Sequence, residues 1–115
     1  MRELNIGTKR FTRILAVDER GQGNANHEYG IELIDGGICA EVRFQNGPVK
    51  EFGVNGCHQE DLLAIVIDRL ESFQDGEFAC RENALALTKI QEAIHWLNHR
   101  TSDRQQRGVE GTNEK

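Results

Sequence analysis

DLLAIVIDRLESF (Asp61–Phe73) and RENALALTKIQEAIHWLNHRTSD (Arg81–Asp103) are the two stretches whose reading decides the fold. In the first, Leu62, Leu63, Val66, Ile67, Leu70 and Phe73 cover an arc of roughly 140° at helical periodicity. Gln59-Glu60-Asp61 puts negative charge in its opening turn, where the helix dipole favours it. In the second, Leu87, Ile90, Ala93, Ile94 and Leu97 form the main apolar stripe. Gln74–Phe78 (QDGEF) links the two, with Asp75-Gly76 as its turn. Two helices joined by so short a link pack antiparallel. The pair carries more apolar surface than one partner helix covers. Leu85 and Trp96 lie three turns apart, on a face roughly opposite Leu87 and Ile94, and Ile65 is an outlier on the first helix. This second face packs on the small sheet, meets further copies of the hairpin, or does both, and the pattern leans towards a homo-oligomer.

Towards the N-terminus the periodicity changes to two. Phe11–Val17 (FTRILAV) is an apolar run with β-branched members, followed by turn residues at Gly21–Asn26 (GQGNAN). Tyr29, Ile31 and Leu33 make a second, less clean strand. Asp35-Gly36-Gly37 then marks a hairpin, and Ile38, Ala40, Val42 and Phe44 alternate with Cys39, Glu41, Arg43 and Gln45. After Asn46-Gly47-Pro48, the segment Val49–Val54 is expected to add a short final strand. The fold class is therefore α+β: a small antiparallel β-sheet of three or four strands, then an antiparallel helical hairpin, homo-oligomeric. The expected organisation is an N-terminal β region over 1–55 and a hairpin with a short glycine-bearing tail over 56–115.

The chain has 115 residues and a formal net charge of −5. That length fits one domain, or a small domain with an appended motif. The acidic balance argues against a duplex nucleic-acid binder, which needs a broad positive surface, but leaves room for a local cationic patch. Three cysteines (Cys39, Cys57 and Cys80) are odd in number and form no CxxC, so reduced thiols in a cytosolic setting are expected. No apolar run reaches the ~20 residues that cross a bilayer. Met1–Asn5 opens no signal-peptide core. The expectation is a soluble protein with no membrane partner.

Four features bear on function. Arg100, Arg104 and Arg107 follow an i, i+4, i+7 spacing and align if the second helix runs that far; projected back, their stripe meets Trp96, Ala93 and Lys89. Guanidinium forks bind phosphate and stack on bases, although cations near a helix C-terminus are favourable without any ligand. RGVEGT (Arg107–Thr112) places Gly108 and Gly111 around a turn whose N–H groups could approach an anion, or simply end the helix. Asn83 sits in the apolar stripe of its helix, as a cap or as a ligand contact. Phe73 is core by default, yet with Asn83 it flanks the link, where the two could bracket a planar ligand.

Catalytic patterns are missing. His27, His58, His95 and His99 form no HxH or HExxH; His95 and His99 are one turn apart, but no third ligand stands at a telling spacing. Gly21-Gln22-Gly23 is too brief for a phosphate loop, and no serine or cysteine sits in a nucleophile elbow. The residues read as a binder with no enzyme activity, no cofactor and no metal. The alternatives are an enzyme that degrades its ligand, or a hairpin that blocks a host factor.

FQNGPVKEFGVNG (Phe44–Gly56), DRLESFQDGEFAC (Asp68–Cys80), ENALALTKIQEAIHWLNHRT (Glu82–Thr101) and RGVEGT (Arg107–Thr112) together resemble the phage Thoeris anti-defence sponges. Their helical hairpin is shared with the anti-CBASS sponge that binds cyclic oligonucleotides. The resemblance runs from about Arg10 to Thr112 and is most specific in the hairpin and RGVEGT. It implies a homo-oligomer, expected as a hexamer, in the host bacterial cytoplasm. It also implies sequestration of intact glycocyclic ADP-ribose, with cyclic trinucleotides as ligands of a separate intersubunit site in some members. By motif, Phe73 would stack on adenine, Asn83 would hydrogen-bond the ligand and Arg100 would meet the phosphates. Arg104, Arg107, Gly108, Val109, Gly111 and Thr112 belong to the shared C-terminal motif and are expected at the ligand too. Arg13 and Arg20 are candidates for contacts from the β half.

Overall fold

The computed structural model describes residues 1–115, which divide into two compact units, Met1–Cys57 and His58–Lys115.

The first unit is a four-stranded antiparallel sheet in the order β1 (Arg2–Glu3), β2 (Thr12–Ala16), β3 (Glu28–Leu33), β4 (Ile38–Arg43). Pairing of Ala16 with Tyr29 and of Tyr29 with Val42 sets these side chains on one face, with Ile14 and Ile31 beside them. Ala16 is fully buried there, and Tyr29 meets Phe44 edge-on at 5.8 Å. The uneven alternation in β3 has a structural counterpart, since the β3–β4 register shifts between Ile31 and Glu32. The β2–β3 connection is pinned by Asp18. Its carboxylate accepts the N–H groups of His27 (3.0 Å) and Glu28 (3.2 Å) and the Asn26 amide (3.3 Å). Desolvation pushes this carboxyl up, but those donors outweigh it and hold its pKa below the ordinary value. Buried Asn26 also accepts Arg2 Nη2 at 2.6 Å, which ties β1 to the same connection.

One expectation is corrected here. The fourth strand is Arg2–Glu3, whereas Val49–Phe52 forms a single helical turn, α1. Pro48 has no N–H for a ladder and sits at φ −64, ready to lead a helix. Two amides then close the loop on itself. Gln45 Nε2 donates to Gly53 O (2.8 Å) while its Oε1 accepts Asn55 N–H (2.9 Å). Asn55 in turn exchanges two 2.8 Å bonds with the Asn46 backbone. Several of the backbone polar atoms that a strand would have paired with a neighbour are instead satisfied within the loop. The chain rejoins the sheet through a parallel bridge between Phe44 and Cys57.

The second unit is the helical hairpin: α2 (Gln59–Gln74) and α3 (Arg81–Arg107). Asp61 accepts His58 N–H at 2.8 Å at the start of α2, and Cys80 Sγ accepts Asn83 N–H at 3.4 Å at the start of α3. The link is sealed by Gln74, which bonds both the O (3.1 Å) and the N–H (3.0 Å) of Cys80. The seam consists of half-buried Leu62, Leu63, Ile67, Leu70 and Phe73 against Leu87, Ile90, Ile94 and Leu97. Val66 and Ala93, expected in the stripes, are exposed. So are the residues of the second face: Trp96 at 66 %, Ile65 at 64 % and Leu85 at 49 %. With 27 residues against 16, α3 outruns α2, by about 16 Å at the helical rise. It ends on Gly108, whose φ of +75 is a left-handed conformation that favours glycine.

Candidate functional site

At the link end, α2 and α3 bring aromatic rings and an amide together. The Phe73 ring meets Phe78 edge-on at 6.0 Å, and the Arg69 guanidinium carbon lies 4.8 Å from the Phe73 centroid. Asn83 Nδ2 donates to Phe78 O at 3.4 Å, a long bond that holds the amide beside the rings. Phe73 and Asn83, paired in the sequence reading by their flanking of the link, do share this end of the hairpin. Phe78 and Arg69 were missed. The first lies in a link and the second on a polar stripe, so neither has a periodic signal.

At the other end, α3 projects past α2 and carries Arg100, Arg104 and Arg107. The helix continues to Arg107, as their alignment required, yet the three side chains differ in setting. Arg100 is exposed. Arg107 is ion-paired with Asp103 at 3.1 Å and donates to Lys115 O. Arg104 is only 5 % exposed. Its Nη2 donates to Val109 O (2.9 Å) and Thr112 O (3.0 Å), its Nη1 donates to Glu114 O, and its Nε lies 3.4 Å from Glu110 Oε2. The guanidinium is thus the hub around which Gly108–Thr112 folds. Gly111, at φ +84, allows the second reversal. Thr112 Oγ1 closes the turn by donating to Val109 O.

The two clusters do not meet within one hairpin. Asn83 and Arg100 are about 25 Å apart along α3, and Asn83 and Arg107 about 36 Å. Nor do two concavities, one in each unit, supply a ready phosphate site. One of about 470 Å³ on the sheet is lined by Glu28, Glu32 and Glu41 with Arg43 among apolar side chains. A shallower one near the end of α2 has Asp68, Glu71 and Asp75 on its rim. Both are poor places for an anion. In the β half, Arg13 is held by Glu32 at 3.0 Å, and Arg20 donates to Asn24 O at 3.3 Å. His95 and His99 flank the exposed Trp96 edge-on, at 5.6 and 5.9 Å. No group of three His, Cys, Asp or Glu side chains is placed to hold a metal ion. No helix is long and apolar enough to cross a membrane.

The model of the Acb2/Tad1 hairpin domain matches residues 39–102, from β4 through most of α3. The chain is also 62 % identical over 79 residues to Thoeris anti-defense 1 of Bacillus phage SBSphiJ7. That alignment covers 69 % of this chain and 56 % of the relative, so the chain spans little more than half the length of the curated protein it matches.

Proposed function

The chain belongs to the Acb2/Tad1 hairpin family, and on that premise we propose that it is a phage Thoeris anti-defence protein that sequesters glycocyclic ADP-ribose without degrading it. The observation that carries this reading is the separation of the two clusters. An aromatic–amide cradle at the link end suits a purine, because a ring and a neighbouring guanidinium stack on a base while an amide reads its edge. A cationic end with an exposed Arg100 suits the diphosphate. At about 25 Å along one helix, the two serve one small ligand only if the link end of one protomer lies against the arginine end of another. The exposed Ile65, Leu85 and Trp96 give the hairpin the apolar face that such a contact needs.

In this reading the working form is a homo-oligomer, with a hexamer as the expected number, acting in the host bacterial cytoplasm. Phe73 stacks on the adenine and Asn83 hydrogen-bonds the ligand. Arg100 takes the phosphates, with Arg107 and the Gly108–Thr112 turn nearby. Arg104 holds that turn in shape through its Nη1 and Nη2, which donate to the Glu114, Val109 and Thr112 carbonyls. Cyclic trinucleotides fit the same chemistry at a second seam. Multiple charge-assisted contacts closed between subunits favour slow release, which a protein that works by stoichiometric capture requires.

The test is to mix the protein with a slight deficit of glycocyclic ADP-ribose, remove unbound ligand, and heat-denature the complex. Sequestration predicts near-complete recovery of unchanged messenger. Depletion of a large excess by catalytic amounts of protein would make it an enzyme, and absence of any binding heat would end the proposal.

A further inference from the structure

The turn after α3 already contains an anion. The Glu110 carboxylate places Oε2 3.4 Å from Arg104 Nε, and its Oε1 accepts the N–H of Gly111 at 3.3 Å. Oε2 is buried yet has no hydrogen-bond partner. Both contacts are long for charge-assisted hydrogen bonds, for which ~2.7–2.9 Å is usual. The other Arg104 nitrogens are committed to the carbonyls of Val109, Thr112 and Glu114, so Nε is the direction left for an anion. The seat is thus formed by one guanidinium N–H and one glycine N–H and filled by a neighbour's carboxylate that fits it loosely.

We propose that Glu110 is a tethered stand-in for a ligand phosphate: it keeps the Arg104–Gly111 seat charged and ordered in the empty protein and swings out when a diphosphate enters. A carboxylate offers two oxygens in a plane, whereas a phosphate offers three in a tetrahedral array. The phosphate can approach both donors closely while a third oxygen faces a neighbouring cation. Glu110 is partly exposed, so it can leave for solvent without stranding its charge. The tether also sets selectivity. Chloride and monocarboxylates must compete with a carboxylate already present at high effective concentration, while the higher charge of a di- or pyrophosphate overcomes it. This deepens the sequestration reading and rests on it for the identity of the physiological ligand. The anion exchange itself can be tested without the messenger.

Calorimetric titrations of inorganic pyrophosphate and of glycocyclic ADP-ribose into the wild type, Glu110→Gln and Glu114→Gln discriminate the outcomes. Glu114→Gln removes a charge from the same segment without removing the Arg104–Glu110 pair. If the seat is open in about a tenth of molecules, Glu110→Gln tightens pyrophosphate binding about 10-fold, and Glu114→Gln changes it by less than about 2-fold. Pyrophosphate affinity in Glu110→Gln that is equal to that of Glu114→Gln, or weaker than wild type, overturns the proposal. The latter result would make Glu110 a strut of the turn. If the wild type fails to bind glycocyclic ADP-ribose while Glu110→Gln gains pyrophosphate affinity, the exchange stands and the messenger assignment falls.

Discussion

Replacing Arg104 by alanine separates the hairpin's stability from the order of the turn behind it. Arg104 is buried and gives hydrogen bonds to the carbonyls of Val109, Thr112 and Glu114, as well as pairing with Glu110. Charge-assisted bonds of this kind reach about 1.5–3 kcal/mol each, but the freed carbonyls and carboxylate regain water when a terminal turn opens. About 1 kcal/mol net for each of three bonds is therefore the working figure, about 3 kcal/mol in all. That corresponds to roughly a 100-fold fall in the closed-to-open ratio of residues 108–115. The seam formed by Leu62, Leu63, Ile67, Leu70, Leu87, Ile90, Ile94 and Leu97 is untouched, so the main unfolding transition moves little. Native-state hydrogen exchange reads the two separately. The Val109 and Thr112 amides, which bond Arg104 O and Val109 O, should exchange about 100-fold faster, while the centre of α3 stays protected. Arg104→Lys should behave almost as badly, because an ammonium cannot reach three carbonyls in a fork. Unchanged protection of Thr112 in both variants would refute the assignment of Arg104 as the hub.

Three further outcomes follow from the geometry. Trp96→Glu with Ile65→Glu places charge on the exposed face of the hairpin; light scattering should show a smaller assembly, while circular dichroism shows the helices intact. A Cβ on Gly56 would collide with the Phe44 carbonyl, a backbone group that cannot swing aside, so Gly56→Ala should cost the sheet unit about 1–3 kcal/mol in a denaturant titration. The depressed pKa of Asp18 means that its contribution to stability is present above the ordinary carboxylate range and disappears as pH falls through the lowered folded value. Asp18→Asn should accordingly lower Tm at neutral pH, with the difference from wild type shrinking in strong acid.

How much of this was legible in the residues depended on repetition. The hairpin announced itself because a 3.6-residue period persists through Asp61–Phe73 and Arg81–Asp103, and the β3–β4 hairpin because Asp35-Gly36-Gly37 precedes a clean alternation. β1 left no trace, since Arg2–Glu3 is too short to alternate and is held by a long-range bond from Arg2 to Asn26. Val49–Val54 looked like a strand from composition, but Pro48 and the amides of Gln45 and Asn55 decide its conformation. At the candidate site, the i, i+4, i+7 spacing of Arg100, Arg104 and Arg107 was visible, whereas the burial of Arg104 was not. That burial depends on a chain reversal at Gly108 and Gly111 that brings carbonyls back over the helix end, and no helical wheel contains it. Phe78 and Glu110 were invisible for the same reason: each acts from a turn.

Mixed assembly tests most directly whether the ligand site is shared between protomers. A Phe73→Ala/Asn83→Ala chain and an Arg100→Ala chain, each expected to be inactive alone, are co-expressed with different tags and purified together. If each site draws its aromatic cradle from one copy and its arginine from another, random mixing restores about a quarter of the sites, detectable as glycocyclic ADP-ribose retained at that stoichiometry. Mixed assemblies as empty as either parent, or an Arg100→Ala parent that captures the messenger unaided, would contradict the account.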